Sequence, residues 1–314
     1  MTAKSLKIIC VMMLLMCVAA SNVQAAPHLC PADKHYEPLA KRPLQAMLYA
    51  VRNCETKQTS YVFGTFHTSS AAIINKIAYV KPYITGSKQA WFEIDLAEQN
   101  AELAQKLMLL PVKAKGLKEM LGDKYFTQMV ARFQAKNPII VDAMLDRYKP
   151  WAAAVALQVL EIDLSGVVMD DYLQRYASGH EIQIKPLENA AEQLKIFDDL
   201  SEAEQVTLLK DAIDNYDEMA KISKELTKQY QDGNLQQVVA LGEKSMKMSD
   251  AKVYEKLEDK LLHQRNNEMA EKLIKALQKD NIFIAVGALH LGGETGLLTQ
   301  FEKAGYGVYG VYVK

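Results

Sequence analysis

The spacing of apolar residues changes twice along this chain. At the N-terminal side it is β-like. Met47-Leu48-Tyr49-Ala50-Val51 reads as a strand, Asn53 to Thr59 as a polar turn and Tyr61 to Phe63 as a second strand, a hairpin that closes at Gly64. Ser69 and Ser70 ahead of Ala71-Ala72-Ile73-Ile74 predict a capped helix start. Gln89 to Leu96 predicts the next strand. Its alternation puts Trp91, Glu93 and Asp95 on one face and Phe92, Ile94 and Leu96 on the other.

From about residue 98 to 278 the period becomes helical, as in Leu103, Leu107 and Leu110, then Met129, Val130 and Phe133. Trp151 to Leu160 predicts a core helix, and Val167 to Tyr176 another. Glu181 to Leu187 is a short β-type run. Ala190 to Leu200 reads as a helix, and Ser201-Glu202-Ala203-Glu204 starts the next. Long amphipathic helices follow to Tyr230, from Leu235 to Met246 and from Lys252 to Leu277, parted by Gly233 and Ser249-Asp250. The β pattern then returns. Asn281 to His290 is an apolar run ending in Gly-x-x-His, Glu294 to Ala304 a helix closed by Gly305, and Tyr306 to Val313 a last β-type run.

These elements predict an α/β fold. N- and C-terminal α/β units build a central sheet, and a long, mainly helical insertion separates them. No low-complexity linker divides the chain, so residues 26–314 read as a single domain.

The first residues are set apart. Lys4 and Lys7 precede the uncharged apolar stretch Ile8 to Ala20, and Val23-Gln24-Ala25 places small residues for cleavage after Ala25. Residues 1–25 therefore read as a secretory signal peptide, the apolar run being shorter than the ~20 residues that span a bilayer. A lipid anchor at Cys17 is excluded because Met16 precedes it. The expected product is an exported protein, periplasmic or extracellular, with no stable membrane anchor after cleavage. About 290 residues remain, mildly acidic once two lysines leave with the signal. Their charges are intermixed, which excludes a nucleic-acid footprint. Residues 26–45 read as a leader strapped across the surface. Cys30 and Cys54 are the two cysteines left, and in an oxidising compartment they are expected to form a disulfide, the alternative being two free thiols.

The candidate chemistry rests on a device used twice. Tyr61-Val62-Phe63-Gly64-Thr65-Phe66-His67 and Ile284-Ala285-Val286-Gly287-Ala288-Leu289-His290 are both apolar runs ending in Gly-x-x-His. Open α/β sheets gather functional groups at the carboxyl ends of strands. If both units share a sheet, His67 and His290 meet there, and Glu93 can add a carboxylate. Two imidazoles and a carboxylate form a ligand set for Zn, Mn, Fe or Co, suited to metal-assisted hydrolysis. One such histidine is more often structural; the repetition favours function. Glu93 has a second reading as the buried partner of a basic residue such as Arg265. Asp95 is either a second carboxylate behind a ligand histidine or a loop cap. Arg265 is either an oxyanion or carboxylate binder or a surface salt bridge, and spacing favours the salt bridge. His28, His35, His180 and His263 read as solvated. Glu294 is a poor ligand partner for His290, because Gly292 and Gly293 interrupt any helix between them. No Gly-x-Ser-x-Gly, His-Glu-x-x-His or Walker motif is present.

At these residues the chain resembles the TraB/PrgY/GumN family, which includes the Tiki proteins. The resemblance runs from about Leu48 to Val313. It rests on Phe63-Gly64-Thr65-Phe66-His67, Phe92-Glu93-Ile94-Asp95-Leu96, Lys149-Pro150-Trp151, Leu187-Glu188 with Gln193, Arg265-Asn266 with Met269, Val286 to Gly292, and Ala304-Gly305-Tyr306. It implies kinship with erythromycin esterase-like and ChaN-like folds. Tiki proteins are described as metal-dependent proteases using the paired histidines and a glutamate. That implies His67, Glu93 and His290 as metal ligands or catalytic residues, with Arg265 and Asn266 nearby, and Mn, Co or Zn as the cofactor. ChaN-like relatives imply an alternative in which the same pocket binds haem or iron. PrgY-type members imply peptide handling by degradation or sequestration. The expected partner is a peptide or small-molecule substrate.

Overall fold

A computed structural model describes residues 29–97 and 101–312. The expected signal peptide (1–25), His28, the first residues of the insertion and Val313 lie outside the described residues.

Among the described residues, six strands form one mixed sheet: β1 (Leu48–Arg52), β2 (Thr59–Thr65), β3 (Gln89–Phe92), β4 (Gln183–Pro186), β5 (Ile282–Gly287) and β6 (Gly307–Gly310), in the order β4-β3-β5-β2-β1-β6. The fold is α/β as expected, and the N- and C-terminal units do share a sheet. β5 lies between β2 and β3 and runs parallel to both, with Thr65 opposite Gly287 and Phe92 opposite Ala285. Its near-continuous apolar run, Ile282 to Val286, suits a strand covered on both faces. β3 and β4 are also parallel. β1 is antiparallel to both β2 and β6. The carboxyl ends of β4, β3, β5 and β2 therefore lie along one edge of the sheet. The start of β1 and the end of β6 continue the same edge.

The expected insertion is less separate than the sequence pattern implied. It returns β4 to the sheet as an edge strand. That edge is short and polar and ends in Pro186, which discourages further pairing. The helix Met169–Gly179 and the last long helix Arg265–Leu277 pack on the sheet through Met169, Leu173, Met269 and Leu273, all in its apolar core. Leu235–Met246 and Leu297–Lys303 join the same core through Leu235, Val238, Leu298 and Phe301, whereas Asp123–Lys136, Pro150–Gln158 and Glu202–Asp214 close a second core around Phe126, Met129, Trp151, Leu157 and Leu209. Ser201 and Glu204 form a capping box at the expected helix start. The run from Lys252 to Leu277 is not one regular helix. A π-helical stretch, Asp259–Gln264, sits between Ala251–Glu258 and Arg265–Leu277.

The leader behaves as a strap. Cys30 and Cys54 form the expected disulfide, with Cα atoms 5.8 Å apart. Tyr36 Oη and the Leu39 amide both donate to Glu302 Oε1, at 2.6 and 2.9 Å. Arg42 Nη2 donates to the Val308 carbonyl and Tyr36 Oη accepts from the Val308 amide, at 2.9 and 3.4 Å. Leader side chains thus occupy backbone groups on the outer edge of β6.

Candidate functional site

Four parallel strands deliver the candidate residues to one place. β2 runs into Phe66-His67, β3 into Glu93, β4 into Leu187-Glu188, and β5 into the short 3-10 turn Ala288–His290. Gly64 is required here by closeness rather than by a turn. A Cβ on it would stand 2.9 Å from Leu291 Cδ1 and 3.1 Å from Ala288 Cα. Gly287 similarly leaves room for Glu93, whose Oε1 would lie 3.1 Å from a Cβ there.

β3 is shorter than the sequence predicts. It stops at Phe92, and Glu93 lies just past its end. Far along the chain, buried Gln174 takes over the backbone. Its Nε2 donates to the Ile94 carbonyl (2.8 Å) and its Oε1 accepts from the Leu96 amide (3.0 Å). The Glu93 carbonyl still accepts from the Glu188 amide at 2.7 Å, so Gln174 takes over only beyond it, and the Glu93 side chain reaches into the site. Its Oε1 accepts from the Gly287 amide at 2.6 Å and its Oε2 from Arg265 Nη2 at 2.8 Å. Burial alone would raise its pKa. His290, once protonated below its own pKa, the charges of Arg265 and His67, and the Gly287 amide outweigh that and hold it at about 2.

Arg265 binds a second carboxylate as well. Its Nε donates to both oxygens of Glu188, at 3.0 and 2.9 Å, and its Nη1 donates to the Leu261 carbonyl. Gln193 Nε2 reaches Glu188 at 3.1 Å and Glu93 at 3.4 Å. Burial raises the pKa of Glu188, against the opposing pull of Arg265. One guanidinium therefore serves two buried carboxylates. Arg265 is not the surface salt bridge that spacing favoured; the alternative reading, with Glu93 as its buried partner, matches the contact seen.

His290 is 5% exposed, and its Nδ1 lies 2.7 Å from the Oδ1 of Asn266, itself 1% exposed. Burial lowers its pKa to about 4, so the ring is neutral at pH 7. With Nδ1 donating to Asn266, Nε2 is the unprotonated nitrogen. It faces Glu93 Oε1 at 3.8 Å.

His67 stands at the mouth, with 67% of its side-chain surface open. Its Nδ1 donates to Asp170 Oδ2 at 2.8 Å, and Thr65 Oγ1 donates to Asp170 Oδ1 at 2.9 Å. The Asp170 charge raises the pKa of His67 to about 9.

The site thus gathers Glu93, His290, Arg265 and Asn266, with His67 beside them. Of the two readings of Asp95, the contact seen is the loop cap rather than the carboxylate behind a histidine. Its Oδ1 accepts from the Ala97 amide at 2.9 Å, so it caps a loop. It left the site because β3 ends at Phe92, which removes the alternation that aligned it with Glu93. The carboxylate behind His67 is Asp170. His263 is also not fully solvated: it is half-buried, with Nδ1 2.7 Å from Thr295 Oγ1. His35 and His180 are exposed as expected. Sequence reasoning missed Asp170 and left Glu188 and Gln193 without roles. An acid in the first turn of a helix ordinarily reads as a partner of the helix dipole, so Asp170 gave no distinct signal.

Among the described residues, no three His, Cys, Asp or Glu side chains stand close enough together to hold an ion as placed. The donor chemistry nevertheless suits a cation. His290 Nε2 and Glu93 Oε1 present two lone pairs to each other, and two ligands at ~2.0–2.2 Å from one ion can span that gap. Both histidines have Nδ1 tied to an oxygen, the arrangement that leaves Nε2 for a metal. Two carboxylates against one guanidinium leave the interior short of positive charge.

A buried carboxylate and imidazole at the carboxyl ends of parallel strands define an α/β protein with a split site at its sheet edge. The chain belongs to the TraB/PrgY/gumN family, whose model matches residues 47–309. No curated protein matches the chain.

Proposed function

We propose that this protein is an exported metal-dependent hydrolase acting on a peptide. The observation that carries the reading is the facing pair of His290 Nε2 and Glu93 Oε1, 3.8 Å apart, with neither donating to the other. His290 and Glu93 would hold a divalent cation such as Mn, Co or Zn. His67 would complete the set through its Nε2, with Nδ1 staying on Asp170. A bound cation would supply an activated water and polarise a carbonyl. The chain's own residues do the rest. Arg265 and the Gly287 amide keep Glu93 ionised, ready to accept a proton or a cation. Asn266 fixes the His290 ring, Asp170 fixes that of His67, and Glu188 anchors Arg265 as a positioning residue.

Export is supported by the signal-like residues 1–25 and by the disulfide, a bond characteristic of oxidising compartments. No helix of the described residues is long and apolar enough to cross a membrane.

The test is metal analysis of the purified protein beside His67→Ala, Glu93→Ala and His290→Ala, with peptide cleavage assayed in parallel. The expected result is about one equivalent of Mn, Co or Zn in the wild type and loss of metal and cleavage in the variants. Equal metal content in all four overturns the reading. A Soret band in the wild type replaces it with haem or iron binding in the same pocket.

A further inference from the structure

Two clefts lie on the sheet edge that carries the site, one on each side of it. The first, about 340 Å³, opens at the ends of β3 and β4. Leu107, Leu187 and Leu194 form much of its wall, and Asp95, Asn189 and Lys272 its rim. Glu188 also lines it, and the same carboxylate holds Arg265 in the site. The second, about 330 Å³, opens where β2 ends, β1 begins and β6 ends. Its wall includes Met47, Ile77 and Tyr312, and its rim Lys76 and Asp232. It reaches the site through Tyr230, which lines it. The Tyr230 hydroxyl donates to the Gly64 carbonyl at 2.6 Å, and its ring stacks on Phe66, next to His67.

Strand order fixes their arrangement: first cleft, then Glu93, His290 and His67, then second cleft. Neighbouring strands are about 4.8 Å apart, so the clefts are centred about 17 Å from each other, the length of about five extended residues. Apolar walls suit aliphatic or aromatic side chains. Asn189 at the first cleft and Gln45 and Gln231 at the second suit a peptide backbone; Lys76 and Asp232 balance at the second, while Asp95, Glu188 and Glu192 against Lys272 leave the first acidic.

We infer that the two clefts are side-chain subsites for an extended peptide laid across the strand ends, each taking a bulky apolar residue, one on either side of the bond held at Glu93 and His290. The inference rests on the hydrolase reading for the bond between them, while binding itself can be measured without turnover.

The probe is a series of fluorescein-labelled dodecapeptides with Leu or Ser at two positions five residues apart. Binding to the full protein is read by fluorescence anisotropy in EDTA. The doubly Leu peptide should bind at least tenfold more tightly than the doubly Ser one, with the single replacements between them. Leu107→Arg should abolish the gain at one position only, and Tyr312→Asp the gain at the other only. Leu107→Ala, with its unfolding curve, checks that the loss follows the subsite rather than the fold. Equal affinity across the series overturns the inference, as does a uniform loss at both positions in either variant. Cleavage with no position preference overturns the subsites and spares the hydrolase. Position-selective binding without metal-dependent cleavage does the reverse.

Discussion

Glu93 Oε1 and His290 Nε2 face each other at 3.8 Å, an ionised acceptor against a neutral one. The pair exists because Asn266 holds the only ring proton of His290 on the far nitrogen. A neutral buried histidine has a consequence for acid stability. Its pKa is about 4 in the folded protein, against an ordinary 6.5. Between those values the unfolded chain takes up a proton that the folded chain refuses, so stability falls as pH drops from 6.5 to 4. The loss is on the order of 3 kcal/mol for this group alone. Urea unfolding at pH 7, 6, 5 and 4 should show it, and His290→Asn should flatten the slope above pH 5. An unchanged slope in that variant assigns the acid sensitivity elsewhere.

His67 titrates the other way. Asp170 lifts its pKa to about 9, so the ion pair persists up to that pH, and the stability it contributes is full below 6.5 and is lost as pH rises through 9. A cation that needs the neutral ring must displace that proton. Mn²⁺ affinity should rise up to about tenfold per pH unit between pH 7 and 9, with release of about one proton. Calorimetry in two buffers of different ionisation enthalpy reads the proton directly. Asp170→Asn should shift the rise to lower pH.

Arg265 is the charge partner of two buried carboxylates. Arg265→Met leaves Glu93 and Glu188 unpaired and should cost about 3–5 kcal/mol, seen as a large fall in Tm. Arg265→Lys should recover little, because one ammonium cannot reproduce the fork that spans both. The double change Arg265→Met with Glu188→Gln should recover part of the loss.

Gly287→Ala separates site from fold. The new Cβ would meet Glu93 Oε1 at 3.1 Å while backbone conformation stays ordinary. Stability should change by less than about 1 kcal/mol, whereas Mn²⁺ affinity should drop about tenfold as Glu93 is pushed aside. A Tm that falls with no change in affinity would falsify this placement of the carboxylate.

The fold was legible where the signal is local. Apolar runs marked β1, β2 and β5, the Ser201 to Glu204 pattern marked its helix start, and paired Gly-x-x-His marked two strand ends. Glu93 stood out as a carboxylate in an apolar run. What escaped was set by distant contacts. Beyond Glu93 the backbone is bonded not by a strand but by the side chain of Gln174, about eighty positions away along the chain. That boundary also separates the two readings left open for Asp95. The pairing of His67 with Asp170, and of Arg265 with Glu188, required the sheet edge to be assembled before either could be read.

The strap also orders events in time. Tyr36, Leu39 and Arg42 bond Glu302 and Val308, which follow them by 266, 263 and 266 positions. The leader therefore cannot dock until β6 has been made, and β6 has no cover until the leader docks. A protein cut before β6 loses the groups that hold the leader. The strap thus reports on a distant strand: a leader that resists proteolysis is one that has found β6.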